Sequence, residues 1–225
     1  MCIRDSIDPR IAGISGDMFV ASLLDLGGSI DKVHTLADVI EETLDYCEKF
    51  KVKVSDVKKR GIRAKDVYLI IKEHVHEISA LKVREYALKV GDKIGLSKKG
   101  LSFIEGVFDE LISAESKVHN ISPNSVHFHE IASADTVFDV VASAMLLEDL
   151  GYLSDNAEIY TTPPALGSGF VEIMHGVVAI PAPATLEILR KHSFKISSSL
   201  VEAELTTPTG AALLLSLIHI SEPTR

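Results

Sequence analysis

His127, Phe128, His129 and Glu130 stand together in mid-chain, and Asp135, Asp139 and Ser143 follow at intervals of four. In an extended segment residues two apart point to the same side, so His127 and His129 can face one point. From Asp135 to Leu147 the chain is apolar nearly all round a helix, with Asp135, Asp139 and Ser143 as its only polar stripe. Such a helix is expected to be buried. Buried carboxylates are costly unless partnered or bound to a metal. Two imidazoles with two or three carboxylates suit a divalent ion of borderline softness: zinc, nickel, cobalt or iron. The same residues would also serve as hydrogen-bonded packing histidines and capping aspartates. The carboxylate stripe favours the metal.

Other groups could carry chemistry beside this one. Gly13, Ile14, Ser15, Gly16 and Asp17 join an expected strand to an expected helix, a geometry that presents backbone N–H groups to an anion. The motif is neither a Walker A loop nor a dinucleotide fingerprint, and a tight turn alone would also call for its glycines. Thr206 to Ala212 opens a helix with a Thr cap and Pro208 at its first position. Thr207, Thr209 and Gly210 could hold a phosphate or carboxylate there, or simply cap. Gly167 to Gly169 leads a hairpin whose tip is His175 and Gly176; the glycine serves the turn, whereas the histidine has no such duty. His74, Val75, His76 and Glu77 echo the central motif in a charged region, which reads as a solvated surface pair.

The elements that must position these groups alternate along the chain. Ile7 to Pro9 reads as the end of a strand, followed by a loop and a helix from Asp17 to Leu26. Gly27 and Gly28 stop it, and Ser29 or Asp31 caps a second helix carrying Val33, Leu36, Ile40 and Leu44 at helical spacing. Lys51 to Ser55 and Val67 to Ile71 read as strands around a turn at Arg60 and Gly61. Helices are expected over roughly 79–94 and 97–118. Strands follow at Glu158 to Tyr160, Phe170 to Met174, Val177 to Ile180 and near Phe194, with helices from Pro183 to Arg190 and from Pro208 onward. Strands and helices mixed without strict alternation predict an α+β fold, helices packed on a mixed sheet, with a mixed-sheet α/β arrangement as the variant.

Both ends look foreign. Met1 to Ser6 and about 215–225 read as translations of sequencing-adapter stretches, which leaves residues 7–214 as an N-terminal fragment of a longer protein. About 208 residues can bury a real core as one domain. The net charge of −9 gives no support for nucleic-acid binding. Cys47, the single cysteine outside the ends, excludes a disulfide framework or a cysteine zinc site. No secretory apolar stretch and no bilayer-length apolar run is present, so a cytoplasmic protein without membrane contact is expected.

Taken together, Asp8 with Gly13 to Met18, then His127 to Glu130 with Asp135 and Asp139, resemble the nickel-insertion proteins that mature the nickel-pincer cofactor of lactate racemase. Gly167 to Val171, His175 and Gly176, Pro181 to Thr185 and Glu204 to Ala212 match that family in the same order, so the resemblance spans about 7–214. It implies a nickel-inserting lyase that places nickel in pyridinium-3,5-bisthiocarboxylic acid mononucleotide with CTP hydrolysis, CTP and its Mn or Mg ion being handled largely by a C-terminal domain beyond this chain. Implied carriers of nickel are His127, His129 and Glu130, with Asp135 and Asp139 as ligands or as partners fixing the imidazoles. Gly13, Ser15, Gly16, Thr207, Thr209 and Gly210 are the implied phosphate contacts, and Asp17 or His175 the base for the ring proton. Ala132 with Ser133, and Ala179, depart from the family pattern at loop positions. A metal-dependent hydrolase and a non-catalytic nickel store remain as alternatives, and a homo-oligomer stays open.

Overall fold

The computed structural model describes residues 3–59, 61–74, 78–128, 133–173, 176–197 and 199–221, with backbone only at 172, 173 and 219–221. Strand β1 (Ile3–Ile7) leads into helices α1 (Gly16–Asp25) and α2 (Ile30–Thr43). A long hairpin, β2 (Cys47–Lys59) and β3 (Ile62–Glu73), is followed by β4 (Ile78–Ser79), α3 (Ala80–Lys93) and α4 (Lys98–His119). Then come β5 (His127–Phe128), α5 (Ala134–Asp149), β6 (Ala157–Thr161), the short hairpin β7 (Phe170–Ile173) and β8 (Gly176–Ala179), α6 (Pro183–Lys191) and α7 (Pro208–Ser221). The class is α+β, as the mixed element pattern predicts. Among the described residues the strands pair in twos, β1 with β6 in parallel and the other three pairs antiparallel.

α5 is the axis of the molecule. It packs against α1, α2, α3, α4, α7 and β3, and Val137, Phe138, Val140, Val141, Ala142 and Leu146 have no exposed surface. A helix apolar on every side has no other stable place, because each buried Val or Leu contributes about 1.5–3 kcal/mol relative to exposure. Its N-terminus is held from outside: Ser133 accepts a hydrogen bond from Asp135 N, while Glu73 at the end of β3 accepts from Ser133 Oγ (2.5 Å) and Ala134 N (2.9 Å). A carboxylate at a helix start satisfies orphan N–H groups and complements the helix dipole. Phe138 meets Phe50 of β2, ring centroids 5.6 Å apart, so the hairpin and the central helix share one core.

The expected caps are in place. Ser29, Ser79 and Ser97 accept from Lys32 N, Lys82 N and Gly100 N. Gly100, an unfavourable residue in a first helical turn, is there for space: a Cβ would lie 2.7 Å from Glu148 Oε2, which itself accepts from Ser97 Oγ at 2.7 Å. The hairpin runs well beyond the two short segments expected, to thirteen and twelve residues, turning at Gly61 with φ of 86°. One expectation fails. Among the described residues no strand forms near Phe194, where only Ser197 makes an isolated bridge to Ala165. The Phe194 N–H donates to Leu189 O (2.9 Å) across Ser193 in the left-handed region (φ 51°). That bond closes the end of α6, so the local sequence serves a helix stop. At the ends, Ile3–Ile7 pairs along Ala157–Thr161 and α7 continues past Leu214 with Leu215 and Leu217 buried. No helix among the described residues is long and apolar enough to cross a membrane.

Phe138→Ala is expected to cost about 3–5 kcal/mol in urea unfolding. Leu200→Ala, at a fully exposed position, should stay within about 0.5 kcal/mol of the parent.

Candidate functional site

Three loops clamp one another beneath the site. Pro9 O accepts from Gly13 N (3.1 Å) and from Ala165 N (2.9 Å). Ile14 bridges Thr206, Thr207 N donates to Ile14 O (3.1 Å), and Thr206 Oγ1 donates to Ala165 O (2.6 Å). The glycines allow this contact. A Cβ on Gly13 (φ 70°) would fall 2.1 Å from Leu205 O, and one on Gly210 would fall 2.0 Å from Ile14 O. Gly13 and Gly210 therefore join the two segments and do not line the cavity above them. Asp8 fastens the same loop, accepting from Arg10 Nε (2.7 Å), Arg10 Nη2 (2.6 Å) and Thr162 Oγ1 (2.8 Å). The Arg10 guanidinium, then Thr162, hold its carboxyl well below the usual carboxylate range.

The clamp sets Gly16, the first residue of α1, directly on Asp139. A Cβ at Gly16 would lie 2.1 Å from Asp139 Oδ2, so only glycine admits the carboxyl. Asp139 Oδ1 is shut off from solvent and finds no hydrogen-bond partner among the described residues. Burial, then the negative charges of Asp135 and Asp17, push this carboxyl well above the usual range. Asp135, one turn earlier, is raised by burial although Thr136 N donates to it at 2.5 Å. Asp17 accepts from Ser15 Oγ. The third member of the stripe, Ser143, donates to Asp139 O (2.6 Å) and is satisfied within the helix. A cation would suit these carboxyls, since opposite charge restores the ionised form that burial disfavours.

Above them opens a cavity of about 690 Å³. The starts of four helices line it: Ser15, Gly16 and Asp17 of α1, Asp135 and Thr136 of α5, Pro183 and Ala184 of α6, and Thr207, Pro208 and Thr209 of α7. Helix N-termini carry partial positive charge, which favours an anionic ligand. Helices α6 and α7, however, begin with proline, which has no N–H, and the first N–H groups of α5 are taken by Glu73, Ser133 and Asp135. Val67, Leu69 and Ile71 of β3 form an apolar wall, and Glu115 and His119 at the end of α4 complete the rim. Among the described lining residues are four carboxylates and one imidazole, with no lysine or arginine. The cavity can thus take a ligand with an anionic group while offering carboxylates to a metal ion. No three His, Cys, Asp or Glu side chains among the described residues are grouped to hold one ion unaided.

Seven of the residues expected from sequence meet here: Ser15, Gly16, Asp17, Asp135, Asp139, Thr207 and Thr209. His127 does not line the cavity; it is exposed on β5 opposite Ser79, while the next residue, Phe128, is buried and does. Successive strand residues face opposite sides. His129, Glu130 and His175 lie outside the described residues, as does His76; His74 is exposed and paired with Glu48. Glu115 and His119 were not among the expected residues. Their signal was available in the spacing of an acid and a histidine four apart at a helix end.

A family model described as "Nickel insertion protein" matches residues 6–224. A "Putative nickel insertion protein" of Dictyoglomus thermophilum is 41% identical over 208 residues, covering 92% of this chain and 50% of the relative. Another of that name from Methanothermobacter thermautotrophicus is 37% identical over 216 residues, covering 95% of this chain and 50% of its own length. The "Pyridinium-3,5-bisthiocarboxylic acid mononucleotide nickel insertion protein" of Staphylococcus saprophyticus is 35% identical over 206 residues, covering 92% and 49%. The chain spans about half the length of these curated relatives. No solved structure matches it.

A raised carboxyl gives a defined pH response. Asp139 binds its proton more tightly in the folded state than at its ordinary value of 3.8. The stability contributed by Asp139 is therefore fully present below that value, is lost as pH climbs through the raised pKa, and levels off beyond it. Asp139→Asn should remove this slope and make the metal-free protein more stable than the parent at neutral pH, measured by urea unfolding across about pH 4 to 8. A variant less stable at every pH would show that the carboxyl is satisfied.

Proposed function

The chain belongs to the nickel insertion protein family, and from that premise we propose that it is the metal- and substrate-binding part of an enzyme that inserts nickel into pyridinium-3,5-bisthiocarboxylic acid mononucleotide. The observation that carries this reading is the Asp139 carboxyl, partnerless among the described residues, in a cavity onto which four helix starts open. The carboxyl groups of such a site suit a cation, and its helix starts suit a phosphate. The named substrate of the Staphylococcus saprophyticus relative needs both.

In the proposed sequence, nickel is cargo. His127, His129 and Glu130 carry it, His127 from its exposed place on β5 outside the cavity, and Asp135 and Asp139 receive it in the cavity as ligands. The mononucleotide phosphate lies at Ser15–Gly16, or at the start of α7 on the Thr209 N–H and the Thr207 and Thr209 hydroxyls, since Thr207 N is engaged by Ile14 O and Pro208 has no N–H. Its sulfur donors, softer than carboxylate, draw the ion off. Forming the nickel–carbon bond releases one proton from the ring carbon, and Asp17 or His175 accepts it. CTP hydrolysis, with Mn or Mg, belongs to the half of the relatives that this chain does not span, and the functional unit here is residues 7–214. The reaction class is that of a lyase, and the setting is the cytoplasm.

Incubated with nickel, CTP and the mononucleotide, the 225-residue chain alone should bind nickel yet form no nickel–carbon product. Fusion to the C-terminal half of the Dictyoglomus thermophilum relative should give product, read by mass spectrometry. Product from the chain alone would refute the division of labour, and a fusion that binds neither nickel nor the mononucleotide would refute the function.

A further inference from the structure

Glu115 and His119 are one turn apart on α4, with His119 Nε2 and Glu115 Oε2 3.2 Å apart. Their side chains are 17% and 34% exposed, and both border the cavity that holds Asp17, Asp135 and Asp139. An ion pair of this spacing near a helix C-terminus stabilises by only about 0.3–0.5 kcal/mol. The position on the rim fits a second purpose. Two ligands about 2.1 Å from one ion lie about 3.0 Å apart at a right angle and about 3.4 Å apart at the tetrahedral angle. The observed separation falls between them, and residues i and i+4 on one helix face are a recurrent chelating arrangement.

We propose that Glu115 and His119 form a two-point chelate for a divalent transition-metal ion on the cavity wall, separate from the Asp135–Asp139 carboxyls of α5. One imidazole and one carboxylate suit nickel, cobalt or zinc. A chelate of one imidazole and one carboxylate holds an ion moderately and gives it up to a softer donor. Asp139, whose Oδ1 has no partner among the described residues and which lines the same cavity, is the next acceptor inside. The three aspartates of the lining draw a cation past the rim. The chelate rests on geometry alone; its role as a transit station rests on the nickel-insertion reading.

The test is calorimetric titration of Ni²⁺ into the 225-residue chain and its Glu115→Gln, His119→Ala and Asp139→Asn variants. Each α4 substitution should weaken one nickel site by at least about tenfold, with little change in metal-free unfolding. Unchanged affinity in both α4 variants overturns the chelate. Should either variant fail to fold, substoichiometric Ni²⁺ added to the parent must broaden the His119 imidazole NMR signals, and sharp signals overturn the proposal. The two readings separate cleanly. Nickel held by Asp139 alone, with product formed by the fusion, sinks the chelate and leaves the function standing. Nickel lost in both α4 variants, with no product from the fusion, does the reverse.

Discussion

A carboxyl group pressed between the first residue of one helix and the body of another governs this structure. Asp139 sits on α5, whose other faces are buried in the core, and Gly16 approaches so closely that no side chain fits between them. An ionised carboxylate in that position is disfavoured by burial and by two neighbouring aspartates. The fold retains it although an asparagine of the same shape would avoid the charge. Retaining a destabilising buried acid is understandable where a cation is to arrive.

The surrounding architecture serves that contact. The clamp of residues 8–16, 162–167 and 204–210 fixes the start of α1 against α5, and it needs glycine at 13 and 210 because backbone meets backbone there. Glu73, reaching from the hairpin, satisfies the start of α5 and fixes its depth. The same packing turns four helix starts toward one space. Carboxyl groups and helix starts therefore share one cavity, with an apolar wall from β3.

Much of this was legible in the chain. The all-round apolar run from Asp135 predicts the buried central helix, and Ser29, Ser79 and Ser97 mark helix starts because a hydroxyl there accepts an orphan N–H. The Gly13 to Gly16 turn and the Thr207 helix start could be named as anion sites, but nearly two hundred residues separate them in sequence. Only the loop clamp shows that they share a cavity. Phe194 misled because a β-former followed by polar residues looks the same in a strand or after a helix stop. The i, i+4 spacing of Glu115 and His119 is visible in the sequence but weak, since an acid–histidine pair on an amphipathic helix is ordinary surface chemistry until its helix end meets a cavity. The role of Gly16 was half visible: glycine was expected for a turn or a phosphate, while the steric demand comes from Asp139.

The central claim is that a nickel ion enters this cavity and meets the Asp139 carboxyl. Anomalous diffraction at the nickel edge, from crystals of the chain soaked in nickel chloride, tests it most directly. A peak within the cavity at coordination distance from the Asp139 carboxyl is the predicted result. Nickel found only at the exposed strand around His127, with the cavity carboxyls unoccupied, would contradict it.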